Sequence, residues 1–392
     1  MRIAIFTDND FAKVNGVTTT LNAVLRWRPA DLQVRVYTAA DVEVDTREYL
    51  ALASPGVGIP YYAEMKMYVP RFFEFLKRAR ADGIDLIHFT TPGPVGLAAM
   101  FTRWRLNLPM IGSFHTQLSE YTELLSGSKA LGHWMREYQR WPYGKCERIL
   151  VPSDATRALL VSAKINPDKI RLWTRGVDSD LFSPARRSEG LRREWNVTDQ
   201  RPALLYVGRL SREKGVQLLP SISRSLRDAR LPHRLIFVGD GPMRAELQRA
   251  CPDAVFTGAQ PHDRVAEMMA SSDLFLFPSR TDTLGNVVLE AQAAGLPVLV
   301  SDAGGPRENI KSGDSGFVCE EEGPLNMTML TARLLSDRPR RMQMSRAARE
   351  YALGRRWDLA LAPLYQTYRD AIVGRAAIQA SSAMPAAQPQ RG

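Results

Sequence analysis

The stretch Pro278–Asn309, PSRTDTLGNVVLEAQAAGLPVLVSDAGGPREN, follows an apolar run, Leu274-Phe275-Leu276-Phe277, that is short enough for a buried strand. Ser279–Thr283 is a polar loop, and Leu284–Ala294 carries apolar residues at helical spacing. Gly295 and Pro297 stop that helix, and Pro297-Val298-Leu299-Val300 predicts the next strand. Strand, loop, helix and strand make the unit of a parallel α/β sheet, whose ligands sit at the carboxyl ends of the strands. Leu284, Gly285 and Asn286 form the helix start, which offers unpaired N–H groups and the positive end of a dipole to a phosphate. Gly285 has no Cβ, so an anion can approach its backbone closely.

Two carboxylates flank that point, Asp282 in the loop and Glu290 inside the helix. With a diphosphate on the helix start, Glu290 is placed to accept from a ribose, and Asp282 to meet the group the diphosphate carries. An ordinary loop aspartate and a solvated helix glutamate fit the same pattern, and this stretch alone does not choose.

A second anion site is predicted earlier. Pro202–Gly208 is a strand, and Gly208-Arg209-Leu210-Ser211-Arg212-Glu213-Lys214-Gly215 precedes the helix Val216–Leu226. Arg209 and Lys214 between glycines at a strand-to-helix turn suit a diphosphate leaving group. The Walker spacing GxxxxGK[ST] is absent, and Gly239-Asp240-Gly241 lacks the last glycine of a dinucleotide fingerprint.

In the first half, Arg2–Phe6, Leu32–Tyr37, Asp85–Phe89, Pro109–Thr116, Arg148–Ser153 and Ile170–Trp173 read as strands. Gly16, in Asn15-Gly16-Val17, lies before a helical stretch Thr18–Arg26 where backbone can meet a phosphate. His115 ends its strand, on the ligand side of such a sheet; His88 has a similar setting. Leu118–Tyr143 and Trp357–Val373 are expected to be helical, and Glu308 is expected to be structural. Asp178-x-Asp180 imitates a DxD metal motif, but no His or carboxylate cluster accompanies it.

The 392 residues suggest two domains. The expected division is 1–184, a linker at 185–201 marked by its charge and weak apolar pattern, 202–356, a helix 357–373 returning to the first domain, and a disordered tail at 374–392. Hydrophobic residues at 45% and charged residues at 24% describe a globular chain. The net charge of +10 and pI near 9.6 admit anionic partners without naming one. The basic residues are dispersed and no nucleic-acid motif is seen. Three scattered cysteines without CxxC fit a reducing compartment, and neither a membrane span nor a signal peptide is evident, so a cytoplasmic enzyme is expected. Tyr61–Arg80 interleaves aromatic and basic residues, including Lys77, Arg78 and Arg80. Such a segment can lie on an anionic membrane surface at the inner face of the cell membrane, or it can be a core element with a solvated basic face.

The acid–seven residues–acid pattern of Asp282 and Glu290, followed by Gly295-Leu296-Pro297-Val298, resembles the signature of retaining GT-B glycosyltransferases of family 4. That family has glutamate at both ends, so Asp282 keeps the charge on an arm one methylene shorter. The Gly16 loop, Phe114-His115-Thr116, the phrase Arg175–Pro184 and Gly208–Gly215 are similar to family motifs in the same order, and bacterial GDP-mannose-dependent α-mannosyltransferases share their tone. The resemblance implies two Rossmann-like, doubly wound domains facing a cleft, with a nucleotide-sugar donor on the second and a lipid or glycan acceptor on the first. It gives Arg209 and Lys214 to the diphosphate, Gly239 and Gly258 to the nucleobase wall, Asp282 and His115 to the reacting sugar, Glu290 to the ribose and Asp178 to a hinge. It also implies that no metal or other cofactor is needed. A UDP-hexose donor, a nucleotide-sugar epimerase of the same shape and a non-catalytic sugar-nucleotide binder remain the alternatives.

Overall fold

The computed structural model describes residues 1–9, 11, 16–59, 62–115, 122–123, 126–319 and 324–383. Asn15, Tyr61 and Thr116, quoted above, lie outside the described residues.

The first half builds an eight-stranded sheet from β1 (Arg2–Phe6), β2 (Gln33–Ala40), β3 (Val44–Asp45), β4 (Tyr49–Ala53), β7 (Leu86–Phe89), β8 (Met110–Ser113), β9 (Arg148–Val151) and β10 (Ile170–Leu172). The strand order is β10-β9-β8-β7-β1-β2-β4-β3, parallel except for the short β3. The second half builds a parallel six-stranded sheet from β11 (Ala203–Val207), β12 (Arg234–Val238), β13 (Val255–Phe256), β14 (Leu274–Phe277), β15 (Val298–Ser301) and β16 (Gly316–Cys319), in the order β13-β12-β11-β14-β15-β16. In the middle of the second sheet, β11 and β14 have no charged residue because both sheet faces are covered; Leu274–Phe277 is buried throughout. Each sheet reverses its winding beside its first strand, between β1 and β7 and between β11 and β14. Those switch points are where doubly wound sheets bind ligands.

The helix Trp357–Ala383 leaves the second half and packs Leu361, Leu364, Tyr365 and Tyr368 against Ile3, Ile5, Leu86, Ile111 and Leu150 of the first sheet. It runs to Ala383, past the expected end at Val373. Ala376, Ala377 and Ala380 have high helix propensity, which carries the helix on without a hydrophobic stripe.

Other expectations change too. The stretch expected as a linker contains the helix Glu189–Glu194, and Leu191, Trp195 and Val197 are buried in the second core. Its apolar residues are few but large, and Arg192, buried with them, pairs with Asp273 at 2.9 Å. Tyr61–Arg80 is divided between strand β6 (Tyr62–Tyr68), antiparallel to β5 (Gly56–Ile59), and the helix Phe72–Ala81. Pro70 separates them, since it lacks an amide donor for a continued ladder. Within Leu118–Tyr143, a helix is described from Lys129 to Gly144, capped by Ser128.

Candidate active site

The loop after β14 and the loop after β11 meet. Lys214 Nζ donates to Asp282 Oδ1 at 2.7 Å, with both side chains 18% exposed. The second carboxylate oxygen of Asp282 is buried and has no hydrogen-bond partner among the described residues. Thr281 Oγ1 donates to the Glu213 carbonyl at 3.0 Å, and Tyr206 Oη to the Arg209 carbonyl at 2.9 Å, so these contacts brace the two loops beside the switch point.

Gly285 caps the helix Asn286–Ala293 in the left-handed conformation, φ 71°. A Cβ there would meet Pro306 Cγ at 3.1 Å and Phe277 Cε1 at 3.2 Å, so conformation and space both call for glycine. Val288 N already donates to the Gly285 carbonyl at 2.9 Å, so the amides of Asn286 and Val287, ahead of it, are the donors this helix start can offer. Leu284 is buried at 3% exposure, and its carbonyl accepts from Asn309 at 2.7 Å, so its side chain belongs to the wall. The side chain of Glu290, one helical turn on, has no hydrogen-bond or ion-pair partner among the described residues, and burial pushes its carboxyl up to about 7.

Gly239 and Gly258 lie opposite one another in an antiparallel bridge, Gly239 N donating to the Gly258 carbonyl at 2.9 Å. A Cβ on Gly239 would stand 2.0 Å from the Gly208 carbonyl oxygen, so the backbones after β11, β12 and β13 converge here.

The first half contributes the opposing rim. Gly16 begins the helix Gly16–Arg26, and its carbonyl accepts from Asn286 Nδ2 at 3.4 Å. The His115 carbonyl accepts from Thr283 Oγ1 at 3.0 Å, and Ser153 Oγ donates to the Thr283 carbonyl at 2.8 Å. Residues proposed from the two halves therefore face each other across one cleft. The His115 ring is engaged on both nitrogens, with Ser113 Oγ at 2.6 Å from Nε2 and Arg175 Nη2 at 3.0 Å from Nδ1. Burial, then the Arg175 charge, then His88 lower its basicity well below the ordinary imidazole range. A guanidinium only donates, so Nδ1 faces a donor and Nε2 faces the Ser113 hydroxyl.

Sequence reasoning missed several of these partners. Arg175, quoted only within a hinge phrase, is buried at 4% exposure against Trp173, its guanidinium 4.0 Å from the ring centre. Burial lowers its pKa to about 9. Glu308 is structural as expected, but it caps across the cleft, accepting from the amides of Asp154 and Ala155 at 2.7 Å each. Asp8 accepts from Val95 N at 2.8 Å and Thr91 Oγ1 at 2.7 Å, which braces the helix Pro94–Leu106. Asp178 accepts from Arg26 at 3.0 Å and from the amides of Asp180 and Leu181, a turn contact rather than a ligand set. Among the described residues no His, Cys, Asp and Glu group could hold a metal ion.

Lys77, Arg78 and Arg80 are not part of this cleft. They stand on the helix Phe72–Ala81, where Arg78 pairs with Glu43 at 3.1 Å, Asp45 at 2.7 Å and Glu74 at 3.0 Å. Lys77 lies 3.9 Å from Glu74, and Arg80 is exposed.

Residues 14–181 match the family model Glycosyltransferase Family 4, and residues 188–351 match Glycosyl transferases group 1. A GDP-mannose-dependent alpha-mannosyltransferase of Corynebacterium glutamicum is 32% identical over 379 residues, covering 95% of this chain and 89% of the relative. The chain belongs to glycosyltransferase family 4. As a family 4 glycosyltransferase it is a retaining hexosyltransferase of the GT-B fold. A Mycobacterium tuberculosis GDP-mannose-dependent alpha-mannosyltransferase is 32% identical over 392 residues, covering 97% of this chain and 99% of the relative. The alpha-monoglucosyldiacylglycerol synthase of Streptococcus pneumoniae is 26% identical over 330 residues, covering 81% and 74%. In fold, this glycosyltransferase superposes on sucrose-phosphate synthase of Thermosynechococcus elongatus with a TM-score of 0.76 at 20% identity, covering 95% and 99% of the two chains.

Proposed function

We propose that this glycosyltransferase moves mannose from GDP-mannose to a lipid-linked acceptor, with the donor on the second half of the cleft. The observation that carries the donor site is the meeting of Lys214 with Asp282 beside the glycine-capped helix start at Gly285. As the bond between the anomeric carbon and the phosphate oxygen breaks, positive charge grows on the sugar and negative charge on the diphosphate. Arg209, Lys214 and the helix amides oppose the second, and fixed donors of this kind strengthen as charge develops. No metal is required for that neutralisation. Asp282, oriented by Lys214, faces the sugar; Glu290 accepts from the ribose; Gly239 and Gly258 wall the base.

The acceptor hydroxyl approaches from the first half, on the face the diphosphate leaves, and gives its proton to the departing phosphate oxygen as its own oxygen bonds the anomeric carbon, so the anomeric configuration is kept. His115 serves by position, since its nitrogens are occupied. The cross-cleft contacts of Thr283, Ser153 and Glu308 close the site and keep water from the activated sugar. The names of the relatives support GDP-mannose, and the diacylglycerol product named for the streptococcal relative supports a lipid acceptor.

A membrane surface would bring such an acceptor to the first half. Phe73 is 78% exposed and Trp104 69% exposed; both rings touch Phe101, and Arg105 lies 5.5 Å over Trp104. That aromatic–basic patch, with Lys77 and Arg80 nearby in sequence, supports peripheral contact with anionic lipid. Among the described residues no helix is long and apolar enough to cross a membrane.

The test is incubation with labelled GDP-mannose, UDP-glucose and UDP-galactose plus a membrane lipid extract. Label passing from GDP-mannose into the organic phase is expected. Label from a UDP-hexose there instead would overturn the donor, and release of free sugar without a lipid product would point to an epimerase.

A further inference from the structure

His88, Ser113 and Tyr368 are fully buried, and they form a chain that ends on His115. Tyr368 Oη lies 2.7 Å from His88 Nδ1, and His88 Nε2 lies 2.8 Å from Ser113 Oγ. Ser113 Oγ lies 2.6 Å from His115 Nε2, and Arg175 Nη2 lies 3.0 Å from His115 Nδ1. Four segments distant in sequence supply it: β7, β8 with the loop after it, the loop after β10, and the helix Trp357–Ala383.

The direction of the first proton in this chain follows from Arg175. A guanidinium only donates, so His115 Nδ1 accepts from Arg175 and the ring proton is on Nε2. His115 Nε2–H then donates to Ser113 Oγ. The order assigned to the rest is a relay, the Ser113 hydroxyl donating to His88 Nε2 and His88 Nδ1–H to Tyr368 Oη; the alternative, with both rings donating to Ser113 and Tyr368 donating to His88 Nδ1, puts the His88 proton on Nε2 instead. Reversing the chain would set an Nδ1–H of His115 against a donor of Arg175, and a cationic His115 meets the same clash.

We propose that His88, Ser113 and Tyr368 are positioning residues for sugar transfer, holding His115 in one tautomer and one ring orientation at the cleft, with Arg175 setting the direction. A tyrosine on the crossing helix thereby fixes a residue whose carbonyl touches Thr283, the neighbour of Asp282. Packing alone would ask only that these side chains fill their space. The chain asks for particular protons, and that difference can be measured.

Nitrogen-15 imidazole spectra of the full-length protein between about pH 5.5 and 8.5, the range where free histidine titrates, test the direction without any substitution. His115 is expected to carry its proton on Nε2 and His88 on Nδ1, with neither ring titrating. A proton on His115 Nδ1 or on His88 Nε2, or titration of either ring, would overturn the proposal. The kinetic arm uses GDP-mannose and lipid extract, and it rests on the donor reading above, whereas the spectra do not. Ser113→Ala and Tyr368→Phe, checked for native melting, should lose roughly tenfold to a hundredfold in kcat with donor KM little changed, as misplacement of a site group does. Ser113→Thr, which keeps the hydroxyl, should recover most of the loss. Folded variants with native kcat, or a loss confined to KM, would reduce the chain to packing.

Discussion

Glu308 accepts the backbone amide of Asp154 at 2.7 Å, so a carboxylate of the second half caps a helix of the first half. It holds the next amide, Ala155, at the same distance. A carboxylate at a helix N-terminus gains both charge-assisted bonds and the dipole. Glu308→Ala should weaken the closed arrangement by roughly 1.5–3 kcal/mol, the range for a hydrogen bond to a charged group. Small-angle scattering of the ligand-free protein should then report a larger radius of gyration. Scattering identical to the native protein would mean that the cap does not govern closure.

Lys214 and Asp282 share an ion pair, so their substitutions should differ in what they lose. Lys214→Ala should weaken GDP binding by about 1.5–3 kcal/mol, since a charge-assisted contact to the diphosphate disappears. Asp282→Asn should keep GDP affinity and lose transfer, because the sugar contact tightens mainly as charge develops. Asp282→Glu is expected to be partly active, the acid being kept on a longer arm. Calorimetry with GDP and a transfer assay separate these outcomes; equal loss of GDP affinity in both would end the division of labour.

Glu290 offers a pH signature. Its carboxyl is raised to about 7 by burial, so between the ordinary glutamate range and pH 7 the folded protein binds a proton that the unfolded chain has released. Stability of the ligand-free protein is therefore expected to fall as pH rises through that window. GDP affinity should move the other way, rising towards pH 8, because the ribose hydroxyls donate to the carboxylate. Glu290→Gln should flatten both profiles. Thermal melts and GDP titrations at pH 5, 6, 7 and 8 check this, and parallel slopes for the variant would exclude Glu290 as the source.

Gly285→Ala tests the helix start. The left-handed conformation at φ 71° costs an L-residue about 1–2 kcal/mol, and the new Cβ would press on Pro306 and Phe277. A lower midpoint in urea with an unchanged m value is expected. A midpoint equal to the native one would show that the turn adapts freely.

The fold was legible where local pattern and tertiary role coincide. Leu274–Phe277, the glycine-capped helix and Val298–Ser301 could be read directly, since buried parallel strands are apolar throughout and Gly285 marks its own turn. The clustering of Lys214, Asp282 and Gly285 followed from strand ends sharing a sheet edge. Arg175 and Glu308 were opaque for a different reason: their partners His115 and Asp154 lie 60 and 154 residues away, and no local periodicity encodes such a pairing. The helix at Glu189–Glu194 was hidden because Leu191, Trp195 and Val197 are scattered among charges, although each is large enough to anchor a core.

The helix Trp357–Ala383 imposes an order of events on a ribosome. The second sheet and its helices are contiguous in the chain, so that core can close as soon as its own residues emerge. The first sheet, although synthesised earlier, has one face covered only in part, by Leu21, Val24 and Leu25 of the helix Gly16–Arg26 and by Trp173, until Leu361, Leu364 and Tyr368 complete that core. At elongation rates of roughly 5–20 residues per second, that wait lasts on the order of ten seconds or more after β10 appears. For that interval the nascent first half has an incomplete core around Ile3, Ile5 and Ile111 and is a client for chaperones, and a chain released before Tyr368 leaves that core incomplete for good.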